Sequence, residues 1–143
     1  MTTRTELSEI EDGHTELMRA ALDGDIGTVR ELLIGGADVN AKNGEGRTAL
    51  MFAVTNMHAD IAKELLDHGA DVNATANDGG TALMLAASSG DIESVRALLS
   101  KGADPSARYA KSGETALMLA KEKNHVDIVN LLSGSRSQTA GKA

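Results

Sequence analysis

The sequence predicts an all-α solenoid of four stacked helix–turn–helix units joined by extended turns. Three observations predict it. The first is a period of 33 residues: Gly36-Ala37-Asp38, Gly69-Ala70-Asp71 and Gly102-Ala103-Asp104 return at that interval. Thr48-Ala49-Leu50-Met51 and Thr81-Ala82-Leu83-Met84 do the same, and Thr115-Ala116-Leu117-Met118 follows after 34. Stepping back 33 from Thr48 reaches Thr15-Glu16-Leu17-Met18, which gives four units. Self-similarity at such a period marks a stacked array. The second is composition: 143 residues hold 22 Ala and 16 Leu, with only Phe52 and Tyr109 as aromatics. Small and aliphatic side chains suit thin helices packed closely and disfavour a sandwich of Val, Tyr and Phe. The third is punctuation. Fifteen Gly against one Pro means many tight turns and few rigid linkers.

Each element of a unit has a local cause. The Thr residues at 15, 48, 81 and 115 each lie two after a glycine. The Thr81 hydroxyl can cap a helix over residues 82–89, with Leu83, Ala86 and Ala87 on one face. Ser89-Gly90-Asp91 breaks that helix, and a second one over residues 92–100 turns Val95, Leu98 and Leu99 inward. Gly102 is placed for the left-handed residue that closes it. Such a hairpin buries only one face alone, so neighbours must stack.

The units divide the chain into an N-terminal extension (1–10), repeats over 11–42, 43–75, 76–109 and 110–134, and a tail of linker-like composition (135–143) expected to be flexible. The one inserted residue falls near Arg108-Tyr109-Ala110-Lys111, at the end of the third repeat. Arg19 and Thr28 in the first unit, and Lys121 and Ser133 in the last, replace apolar residues of the other units. Polar substitutions of that kind cap an array, so a complete set of four is expected.

The recurring pattern G-x-T-A-L-M-x-A, then G-D-I-x-x-V-x-x-L-L, then G-A-D-V-N-A resembles the ankyrin repeat over residues 11–134. The resemblance implies an ankyrin-repeat solenoid: antiparallel helix pairs with short β-hairpin finger loops at about right angles, stacked into a curved array. It also implies a non-catalytic protein–protein interaction module that holds another protein on its concave finger and first-helix surface. Carried over position by position, the contact residues are Lys42, Glu45, Arg47, Thr55 and Asn56 around the second unit. Thr75, Asn77, Asp78, Ser88 and Ser89 form the next set, and Arg108, Lys111, Glu114, Glu122 and Lys123 the last. Tyr109 joins them because tyrosine favours interface centres. A monomer is expected; the alternative is a structural or assembly element that self-associates or stabilises a larger complex. The family's usual Pro and His in the Thr motif are replaced by Glu16, Ala49, Ala82 and Ala116, and by Met18, Met51, Met84 and Met118. With Met in the histidine slot, units are expected to couple chiefly through apolar packing.

Other functional classes find little support. With 21 acidic and 14 basic residues the net charge is −7, which repels phosphate backbones, so no nucleic acid is expected. The N-terminus has no apolar signal core and no stretch approaches eighteen apolar residues, so no membrane partner is expected. Cysteine is absent, which suits a reducing compartment, and a cytoplasmic location is expected. His14, His58, His68 and His125 lack metal-ligand spacing, and no nucleophile–base set stands out. No enzyme, metal or cofactor is expected. Charge is graded: net −5 over residues 1–42, −3 over 43–75, −1 over 76–108 and +2 over 109–143. That gradient can orient an approaching partner.

Overall fold

The computed structural model describes residues 14–141, and their side chains through residue 134. The extension at residues 1–10 lies outside them. Among the described residues eight α-helices form four pairs: α1 (Glu16–Asp23) and α2 (Ile26–Ile34), α3 (Ala49–Thr55) and α4 (Ala59–Asp67), α5 (Ala82–Ser89) and α6 (Ile92–Ser100), α7 (Ala116–Glu122) and α8 (Val126–Gly141). No strand occurs among the described residues, so the fingers are hydrogen-bonded turns and not paired strands. The last helix continues through Gly141, into the stretch expected as a tail. Once a helix is nucleated, each added residue adds one hydrogen bond.

The Thr motif starts every first helix. The hydroxyls of Thr15, Thr48, Thr81 and Thr115 accept the main-chain N–H of Met18, Met51, Met84 and Met118 at 3.1–3.4 Å. At the first unit the thioether of Met18 reaches back to accept the Thr15 N–H at 3.4 Å. Sulfur thus closes a capping box there. Second helices end on Gly36, Gly69 and Gly102, each at φ 92°. The following Ala N–H bonds back to the carbonyls of Leu32, Leu65 and Leu98 at 3.0 Å, the arrangement that closes a helix with a left-handed residue.

First helices form one row and second helices another, with the core between them. The first helices touch each other more extensively than the second helices do. Leu17, Leu50 and Leu83 fill the core with Val29, Leu65, Leu98 and Leu132, all 2 % exposed or less. Leu99, expected inward beside Leu98, is only half-buried. Met18, Met51 and Met84 are each 1 % exposed, whereas Met118, in the last described unit, is 46 % exposed.

The turn between the helices of a pair follows a second rhythm, with a period of two units. In units one and three it reads Gly24-Asp25 and Gly90-Asp91, with Thr28 and Ser94 three residues on. In units two and four it reads Met57-His58 and Asn124-His125, with Ile61 and Ile128 three residues on. All four leading residues are left-handed, at φ 80°, 62°, 86° and 61°; Met57 and Asn124 are the non-glycine exceptions among the described residues. Asp25 and Asp91 cap their helices twice over. Asp25 accepts the Thr28 N–H and hydroxyl at 3.1 and 2.7 Å, and Asp91 accepts those of Ser94 at 3.2 and 2.5 Å. The Thr28 hydroxyl bond, with its N–H bond, holds the Asp25 carboxyl below its ordinary value.

Thr28 is therefore not a solubilising end-cap substitution, as the sequence suggested. Its counterpart Ser94 is fully buried in a central unit, and both serve an aspartate. The histidines of the other two units lie on the preceding glycines. A Cβ at Gly24 would meet the His58 ring at 2.6 Å, and one at Gly90 would meet the His125 ring at 2.7 Å.

Candidate protein-binding surface

Three finger turns precede α3, α5 and α7. The first closes with Asn43 N–H on the Arg47 carbonyl at 3.0 Å, and the second with Ala76 N–H on Gly80 at 2.8 Å. The third closes with Tyr109 N–H on Glu114 at 3.0 Å and is one residue longer, which places the insertion inside this turn. Buried Asn43 holds the first finger from within, its side-chain oxygen accepting the Glu45 and Arg47 N–H groups at 2.9 Å each. Fingers are also tied to each other. Asn77 N–H donates to the Glu45 carbonyl, and Ala110 N–H to the Asp78 carbonyl, both at 2.9 Å.

The candidate contact residues fall into two rows. The finger row brings together Lys42, Glu45, Arg47, Thr75, Asn77, Asp78, Arg108, Tyr109, Lys111 and Glu114. At the far end of the first helices lie Thr55, Asn56, Ser88, Ser89, Glu122 and Lys123. The helices of seven or eight residues put about 10–12 Å between the rows. Half-buried Phe52 and Leu85 lie between them at one repeat position of α3 and α5. The contact set drawn from the sequence omitted both; their polar counterpart Arg19 was the available signal. Phe52 also packs on His14, with ring centroids 5.2 Å apart.

Several of these side chains hold the framework. Lys42 Nζ donates to the Thr75 carbonyl at 2.9 Å, and Asn77 Nδ2 to the Gly44 carbonyl at 3.0 Å. Asn56 Nδ2 donates to the Leu22 carbonyl at 2.8 Å, and Ser89 Oγ to the Thr55 carbonyl at 3.3 Å. Thr55 turns its hydroxyl onto the Met51 carbonyl of its own helix at 2.8 Å. The Ser88 carbonyl receives His125 Nε2 at 3.0 Å. Arg108 donates to the Gly113 carbonyl at 2.8 Å, within its own finger. Lys111, Glu122 and Lys123 are exposed.

Below the fingers runs a further polar ladder. Asn40 donates to the Gly69 carbonyl at 3.1 Å and accepts the Asp71 N–H at 2.7 Å. Asn73 repeats this one unit later, on Gly102 at 3.1 Å and Asp104 at 2.8 Å. Polar links of this kind join the units alongside the apolar packing that runs through all four. A repeat pattern cannot show which carbonyl will lie opposite an asparagine.

Tyr109 is the best-seated candidate. Its ring lies on Gly80 in the preceding finger, where an added Cβ would come within 2.9 Å of it. Burial raises its phenol pKa above the ordinary value, Asp78 and Glu114 raise it further, and Arg47 opposes them. The neutral hydroxyl thus sits among charges of both signs. Arg47 also pairs with Glu45 at 3.6 Å.

Among the described residues no group of three or more His, Asp or Glu side chains could hold a metal ion, and no helix is long and apolar enough to cross a membrane. His68 donates to the Glu64 carbonyl at 3.0 Å, and His58 and His125 seat on their glycines, so each has a structural place. No curated protein matches the chain. The family model for ankyrin repeats in three copies matches residues 17–109, and that for the single ankyrin repeat matches residues 112–137. With most of its length inside those matches, the chain belongs to the ankyrin repeat family.

Proposed function

We propose that this chain is a non-catalytic interaction module that holds a partner protein on the concave surface between its fingers and first helices. Ankyrin repeats generally mediate protein–protein interactions. The observation that carries the reading here is the seat of Tyr109: an aromatic ring held on Gly80, beside Arg47 and Asp78. Buried aromatic and arginine anchors dominate interface energetics, and one held in place beforehand loses little freedom on binding. Half-buried Phe52 and Leu85 extend the apolar ground behind the fingers. A patch on four repeats supports roughly 600–1,000 Å² per partner.

The test is a partner captured from the source lysate and identified by mass spectrometry, then titrated against variants. Arg47→Glu should weaken it about tenfold or more with the melting temperature unchanged. Tyr109→Ala should weaken it as much while also lowering the melting temperature, because the ring seats on Gly80. Affinity untouched by both changes but lost on altering Lys63 of α4 would move the site to the convex side. Concentration-dependent oligomers with no captured partner would favour an assembly role.

A further inference from the structure

We propose that the strip between the finger row and the far ends of the first helices takes one amphipathic α-helix of a partner protein, lying along the stack with an acidic flank against the fingers. This rests on the concave reading above and adds the form and charge of the occupant. Three observations carry it. The first is width. The two polar rows bound a strip about 10–12 Å across, the diameter of one α-helix with its side chains. The second is spacing. Half-buried Phe52 and Leu85 stand one repeat apart on neighbouring first helices, and packed helix axes lie about 8–10 Å apart. Seven residues of α-helix advance about 10.5 Å and return to the same face. Same-face residues of an extended strand fall at about 6.6 or 13 Å, so a strand that meets one apolar side chain misses the other.

The third is charge. The finger turns at residues 42–47, 75–80 and 108–115 hold four Lys or Arg and three Asp or Glu, whereas the other described residues hold seven and fourteen. The fingers are thus the positive part of an acidic molecule. Lys42 and Arg108 rest on the Thr75 and Gly113 carbonyls, which leave their charge uncompensated. Arg47 pairs with Glu45 at 3.6 Å, but that carboxylate is 75 % exposed, and such a pair yields readily to a better one. The opposite row is uncharged across the two central units, at Thr55, Asn56, Ser88 and Ser89. Register follows from Arg19, which holds the repeat position of Phe52 and Leu85 in the first unit. It is exposed and makes no ion pair among the described residues. A fitting helix places apolar residues seven apart over Phe52 and Leu85, and a carboxylate a further seven along over Arg19. One flank brings Asp or Glu to Arg47, and the other brings neutral polar residues to Thr55 and Ser88. Apolar contact holds such a helix, and the charges choose its orientation.

The experiment pans a random library of peptides of about 18 residues, or about 27 Å of helix, on the purified chain and titrates the selected peptides in solution. The expected peptides carry apolar residues seven apart and an acidic flank, and the helical circular dichroism signal grows on binding. A central Pro in the peptide should weaken it about tenfold or more. Arg47→Glu and Leu85→Ala should each weaken it about tenfold, and Arg19→Glu by several-fold. Replacing the peptide's acidic flank by Lys should restore binding to Arg47→Glu. Leu85 is half-buried, so the helical signal of its variant is checked first; Arg19→Glu changes an exposed side chain and carries the test without touching the core. No enrichment, basic peptides, peptides with Pro at every third residue, or binding with no gain of helix would overturn the proposal. So would helical peptides indifferent to Arg19→Glu, Arg47→Glu and Leu85→Ala. If non-helical peptides or a captured partner still weaken with Arg47→Glu, the concave surface stands and only the form of its occupant falls.

Discussion

The junction between the second and third units and the junction between the third and fourth are built from the same repeat, yet they are joined differently. At the central junction Asn73 bridges to Gly102 and Asp104, Ser89 reaches the Thr55 carbonyl, and Asn77 ties the fingers by main chain and side chain. Lys63 pairs with Glu93 at 3.4 Å and Lys101 with Asp67 at 3.6 Å, although exposed pairs of this kind contribute little. At the last junction Ser106 stands in the asparagine slot, and its hydroxyl bonds only to Asp104 of its own turn. What remains there is one finger bond, the His125 bond to Ser88, the Tyr109 seat and apolar packing. In a linear array stability is close to a sum over units and junctions. The fourth unit should therefore open first, with the central pair as the cooperative body.

The largest effect that tests this contrast comes from the core leucines. Leu83→Ala should cost about 2–4 kcal/mol in urea unfolding, because Leu83 is 1 % exposed between covered helices. Leu117→Ala, at the same repeat position but half-buried, should cost about 1 kcal/mol or less. Equal losses would erase the distinction between the units.

Next come the glycines. Gly90 and Gly102 are both left-handed, at φ 86° and 92°, so an alanine at either bears the backbone cost of about 1–2 kcal/mol. At Gly102 the added methyl meets open space, but at Gly90 it meets the His125 ring at 2.7 Å. Gly90→Ala should therefore be the worse of the two. Hydrogen exchange should show the loss in α7 and α8, with α3–α6 still protected. Protection lost evenly across the chain would mean that the last junction is as strong as the central one.

A smaller difference is expected from the ladder. Asn73→Ala removes two bonds between units and should cost about 1–2 kcal/mol. Ser106→Ala removes a bond inside one turn and should cost about 0.5 kcal/mol. Replacing Ser106 by Asn tests whether the ladder ends for want of an amide or for want of a further turn to receive it. A stability gain would require an unexpected acceptor.

The smallest expected effect is acid sensitivity. Hydrogen bonds from Ser106 lower the Asp104 carboxyl below its ordinary value, as those from Thr28 lower Asp25. A depressed folded value means stability that is present above the unfolded value, near roughly pH 3.9, and lost as pH falls through the folded one. Thr28→Val and Ser106→Ala should each flatten the urea midpoint against pH below roughly pH 4. An unchanged acid limb in both variants would show that these turns do not respond to protonation.

Much of this was legible in the sequence because the causes are local. The Thr caps, the left-handed glycines and the inward Leu83 and Leu98 follow from spacing and from conformations that few residues adopt. The two-unit rhythm escaped because self-comparison at 33 matches the apolar frame and hides a slower variation. Thr28 differs from Ile61 and Ile128 and reads as an end-cap change until Ser94 is placed beside it. The roles of Asn56, Asn77 and Ser89 were illegible for a different reason: their acceptors lie 33 or 34 residues away and are fixed only by stacking. The binding surface was legible as a set of positions; the seat of Tyr109 on Gly80 required the fold.

The paired rhythm of Gly-Asp and His turns sets a rule for changing the length of this array. Excising one internal unit, such as residues 43–75, would bring Gly24 opposite Asp91, and its histidine lid would be gone. Excising two, residues 43–108, would bring Gly24 opposite His125 and restore the contact that Gly90 now makes. Seams match only when an even number of units is removed or inserted. Genetic gain or loss should preserve parity, and a designer extending this scaffold should copy the 66-residue doublet in place of the 33-residue repeat.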